Sequence, residues 1–457
     1  MKGVPDTPRS AALEALGRTE QGDGFLRDIL HEVFAAAALD PRDRALATQL
    51  ATGVVRHRRT LRLLISYLRG KGKRTRAIQP RLLRILELGA FQLLFLDRVP
   101  AYAAVNEAAE AARRTAKPGR GRKVAGFVNG VLRGLERLIV GREADGRPAP
   151  DAVPHPDGGV VRLAEAVVPD PAAGRAAFLG AAYSYPDWLV VRWLDAYGDE
   201  AEAVCRWQNR RPHVWARVNR MRHTARQLRA SLGAEGFDVK PGPREGVIDA
   251  SALPADRLQR LAEAGELAVQ DPSAMAAVEA LAPQPGETVL DLCASPGTKT
   301  TQIVEAMRDQ GRVVACDKNE EKLGAVRRVL EGRGIGSVVV YPASKAGLVA
   351  PGGYDAVLVD TPCSNTGVLA RRVEARWRLR PEAAPDLAAI QRGLLEQALA
   401  LVRPGGRLVY STCSLLPEEN DGLIADFLED RDGWTLAGRD LLMPGRDHDG
   451  AFWALLR

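Results

Sequence analysis

Residues 360–364 read Asp-Thr-Pro-Cys-Ser, and residues 411–414 read Ser-Thr-Cys-Ser. Each follows an apolar run suited to a buried parallel strand, Ala356–Val359 in one case and Gly406–Tyr410 in the other. A third run, Val289-Leu-Asp291, breaks into Leu292-Cys-Ala-Ser-Pro-Gly-Thr-Lys299. In a doubly wound sheet the ends of parallel strands converge on one crevice. Asp291, Lys299, Asp360, Cys363 and Cys413 are therefore expected around one pocket. Two thiols, a carboxylate and a lysine suit covalent attack on a pyrimidine ring. Carbon 5 of cytosine is a poor nucleophile, but a thiolate added to carbon 6 makes it enamine-like. A donor must then sit near N3, and a base must remove the carbon 5 proton so that the thiol can leave. Cys413 and Cys363 can divide the nucleophile and release roles. Asp360 can hydrogen-bond N3 and the exocyclic amine. Lys299 can orient Asp360 and lower a nearby thiol pKa from about 8.5. Cys205, Cys293 and Cys316 read instead as small buried apolar residues.

The segment after Asp291 also has the features of a cofactor loop. Pro296-Gly297 turns the chain into a helix near Thr298, where glycine permits close backbone approach and free N–H groups face outward. The dinucleotide fingerprint G-x-G-x-x-G is absent. The second strand ends at Asp317, where a carboxylate can accept both ribose hydroxyls of a nucleoside or can cap the following helix. An adenosine without phosphates, S-adenosylmethionine, fits this pattern. No metal site is expected, because His31, His57, His155, His213, His223 and His448 are scattered with no paired spacing to a cysteine. Neither a Walker loop nor a G-x-S-x-G elbow occurs.

The elements that must position these residues follow from periodicity. The 457 residues are 46% hydrophobic and 26% charged, ordinary for a globular chain with room for several domains. No apolar run is long enough to span a bilayer, and the N-terminus lacks a signal-peptide core. Five cysteines, four of them late in the chain, do not form a secreted disulfide framework, so a reducing cytoplasm is expected. Residues 1–140 read as a helical bundle, with helices over Arg9–Leu16, Phe25–Ala38, Arg42–Arg56, Leu61–Leu68, Leu82–Phe95, Tyr102–Ala116 and Phe127–Leu138. Residues 141–182 are rich in proline and glycine and read as a linker, partly extended. Residues 183–270 read as a small α+β module for RNA binding or bracing. From 271 to 457 strands at 288–292, 312–316, 337–341, 355–359 and 406–411 alternate with helices at 299–308, 319–331, 383–401 and 417–429. That alternation implies an α/β, Rossmann-like domain with a mostly parallel, doubly wound sheet.

The net charge of +7 is unevenly spread. Residues 1–140 carry 26 Lys and Arg against 13 Asp and Glu, and no acid falls between Asp43 and Glu87. Arg56, Arg58, Arg59, Arg62, Lys71, Lys73, Arg74 and Arg76 lie in that stretch and are candidates for phosphate contacts with RNA.

These motifs resemble the NOL/NOP/Sun family of RNA 5-methylcytosine methyltransferases, and among them the bacterial members that act on small-subunit ribosomal RNA. The N-terminal part is similar to a NusB-like RNA-binding domain at Asp43-Arg-Ala-Leu, Gly53-Val-Val-Arg56, Leu88-Gly-Ala-Phe-Gln92, Val99-Pro-Ala-Tyr-Ala-Ala-Val-Asn106 and Phe127-Val-Asn-Gly-Val-Leu-Arg133. Arg217-Val-Asn219 and Gln270-Asp-Pro-Ser273 are family-like too. The resemblance implies a class I methyltransferase fold, with S-adenosyl-L-methionine held by Cys293, Ala294, Ser295, Pro296, Gly297, Thr298, Lys299, Asp317 and Asp360. It makes Cys413 the nucleophile and Cys363 the residue that assists release, with Asp360 and Lys299 beside them. It implies a monomer that methylates 16S ribosomal RNA before or early in assembly. The same chemistry on transfer RNA, or a catalytically dead assembly factor, are the competing readings. The chain departs from the family at Ser295 and Thr298 in the loop, at Tyr341-Pro-Ala-Ser344 where an acid is usual, at Thr361 in place of alanine, and at Asn365 in place of glycine.

Overall fold

The computed structural model describes residues 5–70, 77–331, 333–429 and 431–457, and the chain divides into two units. The first comprises residues up to Arg211 together with Arg372–Arg378. It opens with six helices: α1 (Pro8–Gln21), α2 (Leu26–Ala36), α3 (Pro41–Leu68), α4 (Pro80–Phe95), α5 (Ala101–Thr115) and α6 (Gly121–Leu138). Asp40 caps α3 by accepting from the Asp43 N–H, with Pro41 in the first turn. The two helices expected over 42–56 and 61–68 are one, because His57 and Thr60 at the expected break are buried. The Thr60 hydroxyl donates to the Ala181 carbonyl at 2.7 Å. Gly53 allows α3 to approach α4, since a Cβ there would lie 2.0 Å from the Phe91 ring.

The expected linker is instead folded structure. Residues 141–182 contribute to an antiparallel sheet of β1 (Ile139–Glu143), β2 (Ala152–Pro154) and β3 (Val160–Leu163), in the order β1-β3-β2. Val153, Val160, Val161 and Leu163 are buried. Pro154 is tolerated because it ends an edge strand. Helices α7 (Arg175–Tyr183), α8 (Asp187–Tyr197) and α9 (Glu200–Trp207) follow in the same unit. In space the first part of the 183–270 segment, through Arg211, groups with the helices of this unit. Contacts with α3 hold it there: the Arg59 N–H donates to Ser184 Oγ at 2.9 Å and Arg59 Nη1 donates to the Tyr185 carbonyl at 2.6 Å.

Arg372–Arg378, which follows the first cysteine motif in sequence, completes this unit. Arg376 is fully buried. Its Nη1 donates to the Arg56 carbonyl at 3.1 Å and to Asn209 Oδ1 at 2.8 Å, and its guanidinium lies 4.2 Å above the Tyr185 ring. Trp377 Nε1 donates to the Val55 carbonyl at 2.7 Å.

The second unit comprises Pro212–Arg371 and Leu379–Arg457. It begins with β4 (Trp215–Val218), α10 (Ala225–Ala234), β5 (Lys240–Pro241), β6 (Val247–Asp249), α11 (Ala255–Glu263) and β7 (Leu267–Val269), whose strands form an antiparallel sheet in the order β5-β6-β4-β7. Next come α12 (Pro272–Leu281), β8 (Thr288–Asp291), α13 (Thr298–Ala306), β9 (Arg312–Asp317), α14 (Glu320–Leu330), β10 (Val338–Pro342), β11 (Tyr354–Asp360), the helix Ala383–Leu399, β12 (Val402–Thr412), the helix Asp421–Glu429, β13 (Leu436–Leu442) and β14 (Ala451–Leu456). The sheet order is β10-β9-β8-β11-β12-β14-β13. The first five strands are parallel, and β14 runs antiparallel to both its neighbours. Periodicity predicts no strand at β13 or β14. β13 has an exposed glycine-and-charge pattern, and β14 is a short apolar stretch at the chain's end. Tyr354, Tyr410, Phe427 and Phe452 fill the core on one face of the sheet.

Replacing Arg376 with Ala should lower the stability of the helical unit by about 3 kcal/mol, because several buried acceptors lose their donor. Arg376→Lys should restore only part of it, since an ammonium lacks the planar fork. Urea unfolding followed by far-UV circular dichroism checks this. A loss under about 0.5 kcal/mol would mean that the segment adds nothing to the unit.

Candidate active site

The chain leaves β8, builds β9 and β10 on one side, then crosses to β11 and β12 on the other. The reversal between β8 and β11 is a topological switch point, where a crevice opens beyond the strand ends. Register fixes who meets whom there. Leu358 of β11 pairs with Asp291, and Asp360 pairs with Ser411. The cleft is lined by Val269, Gln270, Asp271, Ala274, Asp291 and Cys293, by Ala294 to Pro296, by Thr298 and Lys299, and by Asp360.

Lys299 reaches back from the first turn of α13, and its Nζ lies 2.6 Å from Asp360 Oδ2. The other carboxylate oxygen, Oδ1, accepts from Ser411 Oγ at 2.7 Å. Asp360 is thus oriented by a charge on one side and a hydroxyl on the other. Burial alone would lower the Lys299 pKa, but the Asp360 carboxylate outweighs it and holds the pKa above its ordinary value.

Cys363 and Cys413, fifty residues apart, bring their sulfurs to 3.0 Å. Both are partly exposed. The turns that carry them interlock. The Gly367 N–H donates to the Cys413 carbonyl at 2.9 Å, and the Leu415 N–H donates to Thr366 Oγ1 at 2.8 Å. Asn365, standing where the family glycine is expected, has φ of 60°. That left-handed conformation favours glycine and is next best tolerated by asparagine. The Asn365 amide also donates to the Cys363 carbonyl at 2.8 Å, and its oxygen lies 3.4 Å from Cys413 Sγ. The hydrogen bond with Cys413, followed by burial, pushes the Cys363 thiol well above its ordinary value. Burial pushes Cys293 and Cys316 to about 12 and raises Cys205 as well, which disfavours the thiolate form at all three.

Asp291 is fully buried at the end of β8. Its Oδ2 accepts from Thr300 Oγ1 at 2.7 Å, while Oδ1 has no partner among the described residues. Burial raises its pKa to about 7. Asp317 ends β9 and accepts from the Asn319 N–H at 3.1 Å. The cap of α14 is Asn319 itself. Neither Asp317 nor Gly297 is among the residues lining the cleft. Gly297 stands at φ of 106° before α13, a conformation that favours glycine.

Sequence reasoning passed over three charged residues here. Asp271 lines the cleft, and Arg371 joins it to Asp449, with nitrogen–oxygen distances of 2.8 and 2.5 Å. Gln270-Asp-Pro-Ser273 marked the place only by resemblance. Nothing local points to Arg371 or Asp449.

The RNA contacts expected on α3 need correction. Arg56 is buried, and Arg58 is largely buried. Arg59 donates to Asp187 and to the Tyr185 carbonyl, both at 2.6 Å. Arg62 pairs with Glu87 at 2.5 Å and with Glu20 at 3.1 Å. Arg56 and Arg58 are thus internal, while Arg59, half-buried, and Arg62, exposed, have their charges met by acids distant in sequence. Lys71, Lys73, Arg74 and Arg76 lie outside the described residues. Among the described residues, one group of exposed basic residues lies at the α5–α6 turn: Lys117, Arg120, Arg122 and Lys123, beside Arg113 and Arg114.

Comparison with known proteins gives three family models in chain order. A NusB model matches residues 6–137, a ferredoxin-like domain of RsmF/B-like methyltransferases matches 185–254, and a 16S rRNA methyltransferase RsmB/F model matches 278–450. The chain is 32% identical to the ribosomal RNA small subunit methyltransferase B of Salmonella paratyphi B over 98% of both chains. The corresponding Citrobacter koseri protein shows the same identity and coverage. Among solved structures, that of PH0851 superposes with a TM-score of 0.74 at 25% identity, covering 100% of this chain and 99% of the other. A methyltransferase homolog protein from Pyrococcus horikoshii has a TM-score of 0.55 at 26% identity, covering 62% of this chain and 99% of its own.

The buried Asp291 makes a pH prediction. Unfolded, an aspartate loses its proton near 3.9; folded, Asp291 keeps it to about 7. The native state therefore binds more protons between those values, and stability falls as pH rises through that window. Asp291→Asn should lack this fall. Its stability relative to the parent should rise by about 3 kcal/mol between pH 4.5 and 7.5. Urea midpoints at both pH values check this, and a pH-independent difference would contradict it.

Proposed function

The chain belongs to the RsmB/F family of 16S ribosomal RNA methyltransferases, and on that footing we propose that it methylates carbon 5 of a cytosine in small-subunit ribosomal RNA through a covalent bond from Cys413. The observation that carries this reading is the pair of sulfurs 3.0 Å apart beside the Lys299–Asp360 pair. Methylation of an exocyclic amine or a ribose hydroxyl requires no thiol.

In this reading Cys413 attacks carbon 6 as a thiolate, with its charge offset by the nearby Lys299 ammonium. Asp360, fixed by Lys299 and Ser411, accepts from the exocyclic amine beside N3. Carbon 5 then has the electron pair that takes the methyl group. The Cys363 sulfur, as a thiolate, takes the carbon 5 proton, the electrons of that C–H bond form the ring double bond, and the Cys413–carbon 6 bond breaks to restore the Cys413 thiolate. Because both thiols must stay free, a reducing compartment such as the cytoplasm suits the enzyme.

The residues present fit S-adenosyl-L-methionine. The unpartnered Asp291 Oδ1 is a buried acceptor suited to an ammonium group. The segment from Cys293 to Lys299 follows it, with Gly297 leaving room for backbone approach. Asp317, at the end of β9, is suited to the ribose hydroxyls. When bound, this group supplies the electrophilic methyl. The exposed basic turn from Arg113 to Lys123 is assigned the RNA phosphate contacts of the helical unit.

The closest test uses the thiols. Cys413→Ala should lower methyl transfer by about a thousandfold or more while binding the cofactor normally by calorimetry. Cys363→Ala should accumulate a protein–RNA adduct on a denaturing gel, and Cys363→Ala with Cys413→Ala should lose it. Substantial transfer by Cys413→Ala, or an adduct in the double variant, would reject the reading.

The RNA surface has its own test. Changing Lys117, Arg120, Arg122 and Lys123 to Glu should weaken RNA binding and flatten its salt dependence, by about 0.7 in log–log slope for each single-strand phosphate that the turn no longer neutralises. A filter-binding salt titration of both proteins reads this. Unchanged slope and affinity would place the phosphate-binding surface elsewhere.

A further inference from the structure

Behind the two thiols lies a carboxylate that the chemistry above does not use. Glu419 is fully buried, on the turn that follows β12. Its Oε1 accepts from Ser414 Oγ at 2.8 Å. Its Oε2 accepts from the Ser364 N–H at 2.9 Å and from Gln391 Nε2 at 2.9 Å. Ser364 directly follows Cys363, and Ser414 directly follows Cys413. Gln391 also donates to the carbonyl of Pro362, the residue before Cys363, at 3.0 Å. The hydroxyls of Ser364, Ser414 and Thr366 lie 2.9 to 3.2 Å from one another. One side chain therefore ties the backbone of one cysteine turn to the side chain of the other.

This joint is costly. A buried charge is disfavoured unless donors surround it, and here the hydrogen-bond partners are two neutral side chains and a backbone amide, with no cation among them. Removing a single donor would leave the charge less compensated. A joint needed only for packing could be made by apolar contacts. The carboxylate has a different capability: it accepts from both turns at once, and so fixes the distance between the sulfurs they carry.

We propose that Glu419 is a positioning residue, whose carboxylate locks the Cys363 and Cys413 turns together so that both sulfurs reach the same base. This rests on the two-thiol reading given above. Among the described residues, the Glu419 carboxylate bonds to Ser364, Gln391 and Ser414, not to either thiol, and it does not line the cleft. Its effect should appear in turnover and not in binding.

Glu419→Gln keeps the shape but can no longer accept on both sides without a hydroxyl turning round. Single-turnover methyl transfer should fall at least tenfold, while KM for RNA and the Kd for S-adenosylmethionine stay within twofold. The yield of the Cys413 adduct in a Cys363→Ala background should fall in parallel. Ser414→Ala removes one bond to the carboxylate with little change in volume, and should lower turnover several-fold with the same unchanged binding. It serves if Glu419→Gln does not fold. Wild-type turnover in either folded variant would overturn the inference, as would equal loss of turnover, RNA affinity and thermal stability. Cys413→Ala run beside them separates the two ideas. If it remains active, the two-thiol reading fails; if it is inactive while Glu419→Gln is not, only the role of Glu419 fails.

Discussion

Asp360 and Ser411 are neighbours because β11 and β12 run parallel through five consecutive register pairs, from Ala356–Arg407 to Asp360–Ser411. Everything at the site depends on that alignment. A slip of one residue would turn each side chain to the opposite face of the sheet. Ser411 would then no longer face Asp360, and the two cysteine turns would leave the sheet out of step. The core secures the register: Val357, Val359, Leu408 and Tyr410 are all buried in one cluster. Packing at the middle of the sheet thereby sets a sulfur–sulfur distance at its edge.

Around that frame, four carboxylates near the strand ends have different environments and do different work. Asp360 is paired with Lys299 and is half open to the cleft. Asp291, one strand away, is sealed in, and burial moves it toward the neutral form. Asp317 is spent partly on its own turn. Glu419 is held by neutral donors behind the thiols. Position relative to the strand ends, more than residue type, decides which one can meet a base, a cofactor or only the protein.

The central strands and the cysteine motifs were legible because parallel strands announce themselves as short apolar runs, and because reactive side chains sit just beyond their ends. The antiparallel pair β13 and β14 was not, since an exposed strand with Gly438 and Arg439 lacks that signal. Prolines at 150 and 154 suggested a linker where they mark the edges of a small sheet. The most instructive failure is on α3. Counting charges along the chain made Arg59 and Arg62 look unpaired, yet Asp187, Glu87 and Glu20 reach them in space. The same limitation hid Arg376, whose acceptors are drawn from residues 56 and 209. Glu419 went unremarked for a related reason: its partners lie at positions 364, 391 and 414, and only the fold unites them.

Family membership gives a small-subunit ribosomal RNA methyltransferase, and the proposal that it acts on carbon 5 of a cytosine rests on the paired thiols. The identity of the methylated nucleoside tests that connection most directly. Purified protein, S-adenosylmethionine with a labelled methyl group and protein-free small-subunit ribosomal RNA are incubated, and the RNA is digested to nucleosides and separated by chromatography with mass detection. Thiol chemistry at carbon 6 predicts label in 5-methylcytidine alone. Label in N4-methylcytidine, in a ribose-methylated nucleoside or in a methylated purine would contradict it, because none of those products requires a cysteine.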